Sequence, residues 1–426
     1  MAIAIALLFL LQLALDLTGP LPETTRKLWA PALLFAVAAV WAITQIWPET
    51  IPAVAHPVWD LVPGGTPTIS ADPGQGRHFI MRLLCYGMAF WIAHRATADA
   101  RRSLIFLRTF AIFSTALALY GLYALVTGHN PILGVEQAYP TLSASFVNRN
   151  SYATYAAFGA LANLGLYLSA SSRETGVTGE TMRQIVRNGL EQFFSGTWLY
   201  AVGMVVCIGA VALTQSRAGA MSGLLGLGAL MLAWRGQKRS GNLALVIGIS
   251  ALLVYVGWTS TTGLGARLMT SPTEDLRFVI YPELVSGIAE RPWLGNGLGA
   301  FPDAFRANVP LEAARGEWVM AHNTYLENLY ELGLPAGLAL FASLGLVVWR
   351  IRKGTVERRR NRVFTCVVFG CIVTAAFHSL LDFSLQMPAS AALFAFLLGM
   401  GWSQSFASSR RGRVRRSESR VPAEPA

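Results

Sequence analysis

The sequence predicts an all-α polytopic membrane protein of eleven transmembrane helices, and three observations carry that prediction. Hydrophobic residues make up 54% of the 426 and charged residues only 13%, far from the balance of soluble domains. The apolar residues gather in runs of about 20, the length that crosses a hydrocarbon core as a helix. Lysine and arginine lie mostly between these runs, and very unequally on the two sides. A water-soluble globular protein is excluded. The net charge of +11 belongs to topology, so no nucleic-acid partner is expected.

The first run, 2–19, lies in the N-terminal stretch MAIAIALLFLLQLALDLTG (1–19), which has no basic region and no small-residue cleavage site and reads as a retained span rather than a signal peptide. Runs at 28–47, 79–94, 104–127 and 151–170 follow. Those at 197–213 and 218–234 are joined by a very short turn, and 241–259, 325–349, 363–381 and 388–405 complete the set. Cys85, Cys207, Cys366 and Cys371 all lie inside apolar runs, so no disulfide framework and no cysteine metal site is expected. No internal repeat is found.

Loops at 20–27, 95–103, 171–196, 235–240 and 350–362, with the C-terminal tail, carry 24 lysines and arginines, against 7 in the opposite set. The positive-inside rule places the 24 in the cytoplasm, the N-terminus outside and the basic tail 409–426, disordered against anionic membrane lipid, inside. The outer face then receives the long loops 48–78, 128–150 and 260–324, where function is expected. Within the last, Ser271 can cap a helix with Pro272 at its first position and Glu274 three residues after the cap. Leu276, Ile280, Leu284 and Ile288 recur every four residues before Pro292, which predicts an amphipathic outer helix.

Candidate site residues lie on that face. Arg217 enters the seventh span beside Thr214 and Ser216. A snorkelling anchor is the plain alternative, but a guanidinium near hydroxyls and unpaired helix N–H groups suits an anion. Gly219 and Gly223 are spaced for helix packing. Arg277, beside Glu274 and Asp275, could simply form a local ion pair. Gly295, Gly297 and Gly299 do not follow a strand and so do not form a dinucleotide loop; they let a tight loop approach the membrane surface or a ligand. His322 and Asn323 open a helix that Gly333 and Pro335 interrupt. An imidazole there can exchange a proton near neutral pH, although a histidine at a helix start can also cap it. The other five histidines show no metal-ligand spacing.

TQSRAG (214–219), R-x(12)-ERPWLGNGLGAF (277–301), AHNTYLENLYELG (321–333) and the closing AAFHSLLDFSLQMPASA together resemble the O-antigen ligase family, which includes O-antigen and exopolysaccharide polymerases. The resemblance implies a GT-C-like glycosyltransferase of the bacterial inner membrane, without metal or other cofactor, its active site facing the periplasm. It implies transfer of a glycan from an undecaprenyl-pyrophosphate carrier to a hydroxyl of lipid A core, a growing polysaccharide or a protein, as in lipopolysaccharide or exopolysaccharide biosynthesis. The family's two arginines and histidine match Arg217, Arg277 and His322. Members commonly have twelve spans with both ends inside, one more than counted here.

The chemistry suits these residues. Two guanidiniums would hold the leaving pyrophosphate, and His322 would take the acceptor proton as the anomeric carbon inverts. Ser216 and Asn323 are further substrate-binding candidates. Arg149, at the mouth of the fifth span, and Arg82, in the third, are secondary candidates for the carrier's phosphates, each with a structural ion pair as its alternative. Asp382 reads as a capping or pairing residue, and Trp41, Trp47 and Trp258 as interfacial anchors. The chain divides into N-terminal spans 1–196, a ligase-like core 197–350, C-terminal spans 351–408 and the tail. A transporter or flippase is the rival reading, but it predicts midplane charges and a repeat.

Overall fold

In the computed structural model the described residues are 2–48, 52–130, 132, 135–136, 141–171, 196–235, 277–314, 317–358 and 360–406. They form an all-α, multi-pass membrane protein whose long helices are α1 Ala2–Leu17, α2 Trp29–Gln45, α3 Pro73–Ala96, α4 Ala100–Thr127, α5 Arg149–Ser171, α6 Trp198–Leu213, α7 Arg217–Arg235, α8 Arg277–Glu290, α9 Thr324–Glu357, α10 Val363–His378 and α11 Pro388–Ser403. Ten of the eleven expected spans are helices. The eleventh, 241–259, lies outside the described residues, as do Trp258, the Ser271 cap and the tail. Helices α4, α7 and α9 are long and apolar enough to cross a membrane by themselves, and α1, α2, α6, α10 and α11 are shorter apolar helices. A two-residue antiparallel pairing, His129–Asn130 with Val135–Glu136, is the described β-structure.

Helix α5 is the centre. It is buried on nearly every face, because small residues such as Ala153, Ala157, Ala160 and Gly165 let α4, α6, α7 and α10 approach closely. Gly219 and Gly223 of α7 face Ala153 and Ala157 of α5, so these glycines do serve packing. A second group joins α2 to α9, and α3 to α1 and α11. Leu7, Leu8, Leu10 and Leu11 of α1 point outward, which is favourable only against lipid.

Among the described residues, the basic loops 20–27, 95–103 and 350–362 meet at one end of the bundle. There Arg350 donates to Ser405 O at 2.5 Å, Arg358 to Gln404 O, and Arg362 to Ala233 O at 2.5 Å, each satisfying carbonyls at a helix C-terminus. Gln404 reaches Thr97 O (2.7 Å), Trp402 reaches Thr24 O (3.0 Å), and Arg95 pairs with buried Asp16 at 2.7 Å. For these three loops the grouping by charge is also a grouping in space, and the loops 171–196 and 235–240 and the tail lie almost wholly outside the described residues.

The opposite end is a cap of loops around a break in α9. Gly333 has φ +73° and ψ +167°, which splits the helix before Pro335. The carbonyls freed there are bonded: Trp41 Nε1 donates to Leu332 O (3.0 Å) and Gln45 Nε2 to Glu331 O (2.9 Å). Trp41 thus ties two elements together. Gly295, Gly297 and Gly299 all have positive φ, and their loop lies against Glu331–Gly333, Ser70 and Phe79. The close approach expected of them is to the protein's own chain, not to a ligand or lipid. His56 accepts from Val58 N–H (3.1 Å) at Nδ1, so its Nε2–H is the donor to Asn296 Oδ1 (3.0 Å). Burial, then the nearby Arg291 charge, pushes this imidazole down to about 4.

Candidate active site

The cap converges on the segment just past α10. A helix end leaves carbonyls in need of donors, and four consecutive ones here receive them from other elements. Ser379 O accepts from Thr324 N–H (2.9 Å), Leu380 O from Tyr281 OH (3.5 Å), Leu381 O from Arg277 Nη1 (2.9 Å), and Asp382 O from Thr324 Oγ1 (3.1 Å). Positive charge is favoured at such a terminus, and Arg277 takes that place.

Asp382 is the centre of this arrangement, with its side chain fully buried. Its carboxylate accepts from Phe383 N–H (2.7 Å) and from Asn150 Nδ2 (2.5 Å). Arg277 Nη1 lies 3.6 Å from Oδ2 and His322 Nδ1 lies 3.8 Å from Oδ1. These separations are Coulombic rather than hydrogen-bonded. A negative charge facing Nδ1 favours a proton there, which leaves Nε2 as the basic nitrogen. Asp382 is indeed a pairing residue, and it faces both principal candidates of the outer loop.

His322 sits in the left-handed region at φ +55°. The cap of α9 is the next residue: Asn323 Oδ1 accepts from the N–H groups of Tyr325 and Leu326, both at 3.1 Å. The capping alternative for His322 is therefore set aside, and Asn323, offered as a substrate ligand, has its side-chain oxygen engaged by the helix. Tyr281 OH donates to His322 O at 3.1 Å, and the imidazole lies between Phe383 (ring centroids 4.7 Å) and Trp318 (6.0 Å). Tyr281 is one turn from Arg277 on α8, whose Ile280 and Leu284 are fully buried as the four-residue spacing predicts. The helix ends at Glu290, just before Pro292.

Arg217 is the first residue of α7, half-buried after a turn in which Gln215 has φ +53°. Ser216 Oγ accepts from Gly219 N–H (3.1 Å), so this hydroxyl caps the helix. The packing of Gly219 on Ala153 puts Arg217 at the same end of the bundle as Arg149, the first residue of α5. Asn148 caps α5 through Asn150 N–H (2.7 Å) and Ser151 N–H (3.2 Å), which sets Asn150 toward Asp382. Arg82 is different. Its guanidinium lies over the Phe79 ring at 5.0 Å on α3, and among the described residues no hydrogen bond or ion pair joins it to the Asp382 cluster.

Sequence reasoning did not single out Asn150 or Tyr281. One signal for the hub was present: Asp382 is the one acidic residue between Glu357 and Glu418. Residues 202–342 match the family described as O-antigen ligase, and no curated protein matches the chain. That segment contains Arg217, Arg277 and His322, in a multi-pass inner-membrane protein. Over residues 202–342, about a third of its length, the chain is similar to the O-antigen ligase family, membrane enzymes of the ligase and polymerase type that transfer glycans.

Proposed function

We propose that the chain moves a glycan from an undecaprenyl-pyrophosphate carrier to an acceptor hydroxyl at the periplasmic end of the bundle, with inversion and without a metal. The observation that supports this reading is the meeting of Arg277 and His322 on buried Asp382, at the end away from the basic loops. The acceptor oxygen attacks the anomeric carbon while the bond to the pyrophosphate oxygen breaks. The hydroxyl proton passes to His322 Nε2, and Asp382 stabilises the imidazolium that forms. Arg277 and Arg217 meet the charge developing on the leaving pyrophosphate, with Arg149 a further phosphate ligand at the mouth of α5. Ser216, Asn323 and Arg82 contribute less directly, the first two by fixing helix starts.

The acceptor is lipid A core, a growing polysaccharide or a protein. In a strain lacking the protein, uncapped core would identify a ligase and capped but shorter chains a polymerase. Arg217→Lys and Arg277→Lys test the phosphate role, because a point charge lacks the planar fork. Both variants should reach wild-type levels in the membrane and lose most transfer activity. Full activity in both overturns the assignment, and activity lost to chelator and restored by a divalent ion overturns the metal-free mechanism.

A further inference from the structure

Trp318 and its exposed neighbours are not used in that mechanism. This tryptophan lies four residues before the proposed base and is half-buried. It packs on the cluster that holds Ile280, Phe301 and Ala321, and its Nε1–H donates to Ala313 O at 2.9 Å, which fixes the plane of the indole. That plane stands at 89° to the imidazole of His322, with ring centroids 6.0 Å apart. In the preceding residue, Glu317 Oε1 lies 3.6 Å from Arg306 Nη2, and the two side chains are 78% and 70% exposed. A pair so exposed adds little to stability. Its carboxylate oxygens and guanidinium N–H groups keep bonding capacity for the hydroxyls of a ligand.

We propose that Trp318 is the platform for a sugar ring of the acceptor, with Glu317 and Arg306 on the hydroxyls at that ring's rim. The inference rests on the reading of His322 as the base, and it narrows the acceptor to a carbohydrate. An aromatic face is electron-rich and attracts the polarised C–H bonds that a pyranose presents on its flat sides, while the hydroxyls project around the edge. A sugar laid on the indole therefore carries hydroxyls toward the imidazole set at a right angle beside it, where the base must meet one. Base and platform share the short segment 318–322, whereas Arg217 and Arg149 open α7 and α5, so the platform belongs to the acceptor rather than to the leaving pyrophosphate. A serine or threonine side chain has no ring to stack, and a protein acceptor would leave Trp318 unused.

The test uses the full-length protein in lipid nanodiscs and two water-soluble probes, the oligosaccharides released by mild acid from the lipopolysaccharide and from the lipid-linked glycan of a strain lacking the protein. Hydroxyl-radical footprinting, read by mass spectrometry, follows the oxidation of Trp318 against that of Trp293, which is 73% exposed and serves as the reference. At saturation one of the probes should lower the ratio about twofold or more, because a stacked ring excludes solvent. In transfer assays Trp318→Leu, which keeps apolar bulk without an aromatic face, should raise the apparent KM for the acceptor about 3- to 10-fold and leave turnover at saturation little changed. Trp318→Phe keeps the face and loses only the bond to Ala313 O, so it should restore most of the affinity. Glu317→Ala alters an exposed side chain and serves if the leucine variant does not fold; it should raise the same KM without lowering the melting temperature.

Failure of both probes to protect Trp318 overturns the proposal. So does an unchanged acceptor KM in Trp318→Leu, or a loss shared equally by the leucine and phenylalanine variants and matched by their melting temperatures. Should His322→Ala retain transfer in the same assay, the reading of the base fails instead. The footprint needs no turnover, so it still decides whether Trp318 holds a sugar.

Discussion

A carboxylate with no exposed surface that faces both an arginine and a histidine cannot become an amide without leaving charge uncompensated. Asp382→Asn should therefore reduce transfer by about 100-fold or more, measured as product per folded protein in membranes, while Asn150→Ala, which removes one hydrogen bond to it, should have a smaller effect. His322→Asn is the sharper probe of the base. Asn323 is the cap, and asparagine tolerates positive φ well, so the substituted chain should melt close to wild type and yet fail to transfer. Recovery of activity in His322→Asn would remove the proton-transfer role. Arg217, Arg277 and His322 were legible in the sequence through their motifs. Asn150 and Tyr281 were not, because their roles arise from contacts across 232 and 41 positions of sequence.

Between elements, the break at Gly333 divides the bundle from the cap. The sequence announced it through Gly333 and Pro335, and it announced the buried face of α8 through the spacing of Ile280 and Leu284. Neither pattern says what will satisfy the opened helix, and the answer, Trp41 and Gln45 of α2, is tertiary. A Cβ at position 333 would lie 2.9 Å from Trp293 O in a backbone region hostile to other residues. Gly333→Ala should cost about 1–3 kcal/mol, seen as a lower melting temperature in detergent. The loop that carries His56 should respond to acid. Unfolded imidazole binds a proton below about 6.5, whereas the folded one does so only near 4. Between those values the unfolded state holds more protons, so the stability from this site is complete above about 6.5 and is lost as pH falls toward 4. His56→Asn should flatten the decline of melting temperature over that interval.

For the whole molecule, the basic loops 20–27, 95–103 and 350–362 come together at one end among the described residues, as their charge predicts. Which end faces outward is a testable matter. The four cysteines are buried, so single cysteines at Leu311 (93% exposed, cap end) and Val356 (68% exposed, basic end) give clean labels. An impermeant thiol reagent applied to intact cells with a permeabilised outer membrane should modify position 311 and spare 356. The reverse pattern would put the proposed site in the cytoplasm. The staircase of carbonyls at 379–382 has one more consequence, for the order of synthesis. Translation through residue 342 completes the whole family-matched segment, with Arg217, Arg277 and His322 all made. Yet the carbonyls at 379–382 to which Arg277, Tyr281 and Thr324 donate, and the carboxylate that faces His322, arrive only when α10 has entered the membrane and residue 382 has followed it. A nascent chain should therefore stay inert through most of its insertion, and acquire its activity only when the last two helices arrive.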